Sequence, residues 1–94
     1  MENYSIIRTQ NAGVFFGIVA ERNGSEATLK NVRRLWRWSG ASECLQLAAE
    51  GVKFPHECKF TMVVPEIVVL GIIEIHPCSP AATKSLQEVP EWKS

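Results

Sequence analysis

Ninety-four residues, ten basic and ten acidic side chains and 46% apolar content describe one globular domain (1–94), close to the size at which a single core leaves little stability to spare. The same figures exclude a disordered or fibrous chain and a uniformly basic nucleic-acid binder. The longest apolar runs, 12–20 and 67–73, fall well short of the roughly 20 residues that a membrane-spanning helix needs, so no membrane partner is expected.

In chain order, "NYSIIRT" (3–9) reads as a strand that ends at the turn-prone Asn11-Ala12-Gly13. "VFFGIVAER" (14–22) predicts a second strand, in which Gly17 marks a bulge or a close backbone approach. Asn23-Gly24 is a strong hairpin signal of the type I′ kind. The segment from Glu26 should therefore return antiparallel to 14–22.

That returning segment, "EATLKNVRRLWRW", has two readings. As a strand it puts Leu29, Asn31, Arg33, Leu35 and Arg37 on one face and Lys30, Val32, Arg34, Trp36 and Trp38 on the other. As a helix it would group Val32, Leu35, Trp36 and Ser39. The hairpin turn and the strand propensity of tryptophan favour the strand.

Ser42 is placed to cap a short helix over "ECLQLAAE", with Leu45, Ala48 and Ala49 on its buried side and Gly51 at its end. After the loop "KFPHE", "CKFTMVV" (58–64) alternates like a half-buried strand, and Pro65-Glu66 is expected to break it. "IVVLGIIEI" (67–75) is apolar on both faces for seven positions, which predicts a central strand or one covered by another subunit. Ser79-Pro80 starts a last helix, about 80–88, that presents Ala81, Ser85 and Leu86, and Trp92 in the tail needs a place to dock. The expected class is α+β: a mostly antiparallel sheet or small barrel, β-β-β-α-β-β-α, with two short helices.

Three cysteines, Cys44, Cys58 and Cys78, lack the even count and spacing of a disulfide framework. The N-terminal segment lacks the basic and apolar regions of a secretory signal, and a cytoplasmic location is expected. Residues 1–40 carry six basic and three acidic side chains, a surplus of +3, and residues 41–94 carry four and seven, a balance of −3. Any anion recognition must then be local, and complementary halves could also meet between subunits.

The cluster "RRLWRW" concentrates the chemistry. Alternating arginine and tryptophan can stack on a base and hold a phosphate by charge-assisted bonds. Lys30, Arg33, Arg34, Trp36, Arg37 and Trp38 are therefore the candidate ligand or partner residues. The competing reading makes Val32, Trp36 and Trp38 core and the arginines solvated neighbours.

His56-Glu57-Cys58 and His76-Pro77-Cys78 repeat one spacing, and side by side the four nitrogen and sulfur atoms suit zinc. A one-residue gap is unusual for metal ligands, so no metal is the preferred expectation, with that quartet as the alternative. All ten acidic residues are glutamate, and the chain has no G-x-S-x-G elbow, P-loop or G-x-G-x-x-G loop. The expectation is a protein without catalysis and without a cofactor.

The stretches "RTQNAGVFFG", "RRLWRWSGA", "LQLAAEGV", "CKFTMVVPEI" and "IEIHPCS", in this order, resemble an uncharacterised family of short phage and prophage proteins. The resemblance covers the chain from Tyr4 to Trp92 and supplies no functional residues. It implies a phage source acting in the host cytoplasm, and with it three roles. One is a homo-oligomer that blocks a host protein or sequesters a small anionic, nucleotide-like signal in a counter-defence role. Another is a nucleic-acid-binding accessory protein, and the third is a structural piece of a virion or replication assembly.

Overall fold

β2 (Val14–Asn23) and β3 (Glu26–Arg37) form a long antiparallel hairpin, and β1 (Tyr4–Thr9) pairs with the other edge of β2. These three strands are the centre of the computed structural model, which describes residues 3–41 and 43–92. The hairpin loop is Gly24-Ser25, one residue later than Asn23-Gly24: Asn23 pairs with Glu26, and Gly24 alone takes a positive φ, +63°. Glycine at the first central position is the type II′ pattern rather than I′.

After β3 the chain forms α1 (Cys44–Glu50), a 3-10 turn (Pro55–Glu57), β4 (Lys59–Phe60), β5 (Val64–Val69), β6 (Ile72–Pro77) and α2 (Pro80–Gln87). All strand pairings are antiparallel, in the order β4-β3-β2-β1-β6, with β5 on the same free edge of β3 as β4. The chain is thus an α+β domain with a mostly antiparallel sheet of six strands. The barrel alternative is not realised, because β5 and β6 do not pair.

The expected strand 58–64 shrinks to Lys59–Phe60, and Pro65 lies inside β5 instead of ending a strand. Among the described residues β5 pairs only with β3, and on its other edge a missing N–H costs no ladder bond. The run 67–75 breaks at Leu70-Gly71 into two edge strands, so it is not a central strand. Of its apolar residues Val69 is buried in the core, whereas Val68, Leu70 and Ile73 are exposed. Val69 and Ile72 end strands on opposite edges, which in a flat five-strand order would stand about 19 Å apart. Three Cα steps span at most about 11 Å. The sheet must curl until its edges meet at this corner, and Ile72 N donates to Ser25 O at 3.0 Å while Gln10 N donates to Gly71 O at 2.9 Å.

Curling gives the sheet a core on each side. Ile6, Phe16, Leu35 and Phe60 face α1 and α2 with Leu47 and Leu86, whereas Ile7, Phe15, Leu29, Val32 and Val69 fill the concave side. Neighbouring residues such as Phe15 and Phe16 are therefore both buried.

The helices lie on the convex side. Ser79 caps α2 by accepting from Ala82 N at 3.0 Å, with Pro80 in the first turn, as expected. Ser85 ties the helices together by accepting from Val52 N and donating to Val52 O. Ala82 and Leu86 are the buried residues of α2, and Ala81 is exposed. In α1 the buried residues are Cys44, Leu47 and Ala48, while Leu45 and Ala49 are exposed, so the apolar stripe is rotated from the expected one. Glu43 supplies the N-cap acceptor to Leu45 N, and the expected cap Ser42 lies outside the described residues. No described helix is long and apolar enough to cross a membrane.

Candidate functional site around Arg34

Strict alternation along β3 fails at Asn31, a non-glycine residue with φ +49°. Opposite it, the register of β2 shifts between Phe16 and Ile18. Gly17 stands there because a Cβ would come within 2.8 Å of the Val32 Cβ. Across this bulge the strand changes phase, so Leu29 and Val32 both face the concave core. Arg33 and Leu35 then turn to the helix side, and Arg34 turns to the concave side.

Arg33 is only 3% exposed. Its Nε donates to Thr61 O at 3.0 Å and its Nη1 to Leu86 O at 3.3 Å and Val89 O at 2.9 Å. Its Nη2 reaches Phe60 O and Pro90 O at 3.5 Å, and the guanidinium lies 5.1 Å from the centroid of the Phe60 ring. Burial lowers its pKa, partly offset by Glu91. Arg33 is a cationic staple between the sheet, α2 and the tail, and it has no free donor face for a ligand.

Arg34 is its opposite. The side chain is exposed and lies 5.0 Å from the centroid of the Phe15 ring. Its backbone N donates to Thr61 Oγ1 at 2.8 Å. Among the described residues the guanidinium has no carboxylate or carbonyl partner. Three adjoining clefts meet at it. One of about 210 Å³ runs over Phe15, Val32, Met62, Val64 and Ile67. A second, about 520 Å³, lies between the turn 11–14 and Trp36 and Trp38, and a third, about 530 Å³, follows Ile67–Gly71.

The other candidate residues separate. Lys30 faces Glu66 at 3.8 Å. Arg37 is exposed at the β4 end of the strand. Trp38 is half-buried against the helix-side core. Trp36 is 64% exposed and therefore not core; its indole stacks on Trp92, with ring centroids 6.3 Å apart at 11°. Lys59 Nζ sits 5.2 Å from the Trp92 ring centroid, and Trp92 N donates to Phe60 O at 2.8 Å. The cluster thus brings Arg34, Trp36 and Trp38 to one cleft and removes Arg33, Lys30 and Arg37 from it. A continuous phosphate-binding stripe is not formed.

Sequence reasoning missed Phe15, Met62, Ile67, Lys59 and Trp92 as companions of the cluster. Trp92 carried the one usable signal, a large aromatic in a short tail with no evident partner. Phe15, Lys59 and Ile67 are brought in by cross-strand pairing and Met62 by the segment between β4 and β5.

The zinc quartet is not assembled. His56 and Cys58 sit beside β4 and His76 and Cys78 at β6, the two ends of the strand order. Cys58 Sγ donates to Phe54 O and accepts from Ser39 N, whereas His76 Nε2 meets Glu74 Oε1 at 3.1 Å. Among the described residues no group of three or more His, Cys or Glu side chains is placed to hold a metal. Burial pushes all three thiols up, Cys78 to about 11.

Residues 2–86 match the family model described as Domain of unknown function (DUF6948). The chain belongs to that family. No curated protein and no solved structure matches it. All six candidate residues of the cluster lie inside the DUF6948 match, whereas Trp92, which stacks on Trp36, lies beyond its end.

Proposed function

We propose that this DUF6948 protein is a non-catalytic binding module of phage origin that holds a small organic anion at Arg34 in the host cytoplasm. In that role it sequesters an anionic signal used in host defence, a nucleotide-like one being the form suggested by the Arg/Trp pattern. The carrying observation is the Arg34 guanidinium, exposed, without an anionic partner among the described residues, at the meeting point of three clefts. A fork of donors in this state is matched by a carboxylate or phosphate. A nucleotide-like ligand would set its ring in the cleft beside Trp36 and Trp38.

Homo-oligomerisation is part of the reading. Five exposed large apolar side chains, Met62, Val63, Val68, Leu70 and Ile73, fall within one short segment, and a small domain gains stability by covering such a ridge. Native mass spectrometry of protein purified from bacterial cells tests both claims. The expected result is a multimer with added mass, and an Arg34→Ala variant that keeps the multimer and loses the added mass. A bare monomer for both proteins would reject the proposal.

The Trp36–Trp92 stack beside Lys59 favours a second reading, blockade of a host protein. Exposed tryptophans flanked by cations are frequent anchors of protein interfaces. Loss of host-protein capture in a Trp36→Ala variant, with Arg34→Ala unaffected, would select it.

A further inference from the structure

We infer that the cleft bordered by Arg34 and Phe15 takes an apolar group bearing one carboxylate. This rests on Arg34 as the anion-binding group and narrows the ligand class for that cleft. Its accessible walls are Met62, Val64 and Ile67, over the buried side chains of Phe15 and Val32. At about 210 Å³ it suits a single ring or a branched chain of similar size, since an apolar cavity of about 150 Å³ holds a benzene ring.

The polar groups in the wall are already engaged. Thr61 Oγ1 accepts from Arg34 N and donates to Met62 O at 3.3 Å, and the Arg33 guanidinium is held by five carbonyl oxygens. A nucleobase placed here would bury ring donors and acceptors with nothing to meet them, which is costly. A phenyl, indolyl or leucyl-sized group loses nothing on entry. At the rim, Arg34 supplies one positive charge and a planar fork of donors, which pairs with one carboxylate in two parallel bonds. The Phe15 ring beneath the guanidinium holds its plane in place by cation–π attraction.

Two sources share this chemistry: a free aryl or branched-chain acid, and the carboxyl-terminal residue of a peptide. The test is titration of the 15N-labelled full chain with 3-phenylpropionate, 3-phenylpropionamide, inorganic phosphate and adenosine monophosphate, followed by NMR. The peptide Ala-Ala-Phe with a free carboxylate and its carboxyl-terminal amide form the second arm. Saturable shifts at Phe15, Arg34 and 62–67 with 3-phenylpropionate are expected, with the amide at least tenfold weaker. Arg34→Gln and Met62→Asp should each weaken the acid at least tenfold, and thermal melts establish that both variants fold.

Tighter binding of the tripeptide acid than of 3-phenylpropionate assigns the site to a peptide terminus, and the reverse assigns it to a free acid. Equal binding of acid and amide overturns the carboxylate. Equal or tighter binding of phosphate or adenosine monophosphate overturns the apolar class and leaves Arg34 as an anion site. If no anion produces a shift, both readings fall. Should a variant not fold, the comparison of acid with amide on the unaltered chain decides alone.

Discussion

Arg33 and Arg34 are adjacent in β3 and send their guanidinium groups to opposite faces of the sheet, one over Phe60 at 5.1 Å and the other over Phe15 at 5.0 Å. One is enclosed by carbonyl oxygens and the other opens to solvent. Identical residues in neighbouring positions thus meet opposite environments.

This division predicts unequal costs of truncation. Arg33→Ala removes the guanidinium that donates to the carbonyls of Thr61, Leu86 and Val89 and should cost about 3–5 kcal/mol. Arg34→Ala should stay within about 1 kcal/mol. Urea unfolding of the two variants measures the contrast, and a similar loss in both would contradict it.

Gly17 predicts a steric penalty rather than a loss of contacts. Any side chain there meets the Val32 Cβ at 2.8 Å, in a core filled from both strands. Gly17→Val should lose about 1–3 kcal/mol or more by overpacking, visible as a lower thermal midpoint. Because the clash is with a Cβ, Gly17→Ala should cost less in a Val32→Gly background than in the unaltered chain, whereas Val32→Ala, which keeps that atom, should not relieve it.

The Trp36–Trp92 stack predicts a spectroscopic signature. Trp92→Ala should remove the near-ultraviolet circular dichroism that arises from coupled indoles and cost roughly 0.5–1.5 kcal/mol. Circular dichroism and urea unfolding of the same sample check both. Unchanged spectra would show that the tail does not hold its indole against Trp36 in solution.

Cys78 predicts an alkaline limb in stability. Burial raises its pKa from an ordinary value near 9 to about 11, so above the lower value the unfolded chain releases this proton while the folded chain retains it. Stability present below about pH 9 should decline as pH rises toward 11. Urea midpoints measured across that window should fall less steeply for Cys78→Ala than for the unaltered chain.

The parts of the fold that were legible in the sequence are those set by near neighbours. The strands expected at 3–9 and 14–22, the hairpin within one residue, the crowding at Gly17 and the Ser79-Pro80 helix start all follow from local chemistry. The phase of β3 beyond Asn31 did not follow. It depends on a non-glycine residue in the left-handed region opposite a register shift in β2, and a two-residue period cannot reveal this. Arg33 therefore seemed equivalent to Arg37 when it is a buried staple. Pro65 and Gly71 exchanged their expected roles for a similar reason. Whether a proline ends a strand depends on which edge is free, and that is a property of the whole sheet. For the site, Arg34, Trp36 and Trp38 were legible as a cluster, and Phe15 and Met62 were not, because β2 and the segment after β4 meet β3 from opposite edges.

The Leu70-Gly71 corner has a kinetic meaning. Its two flanking strands grip opposite edges of the β1-β2-β3 meander, so neither can zip up from a neighbouring turn. Both must wait for a surface that the first forty residues create, and they then settle in one closure that removes a long loop's freedom. Held this way, β5 and β6 do not peel off independently of each other. Hydrogen exchange of β5 and β6 should accordingly report openings that involve both strands together, and the concave cleft over Phe15 should persist as long as the fold does.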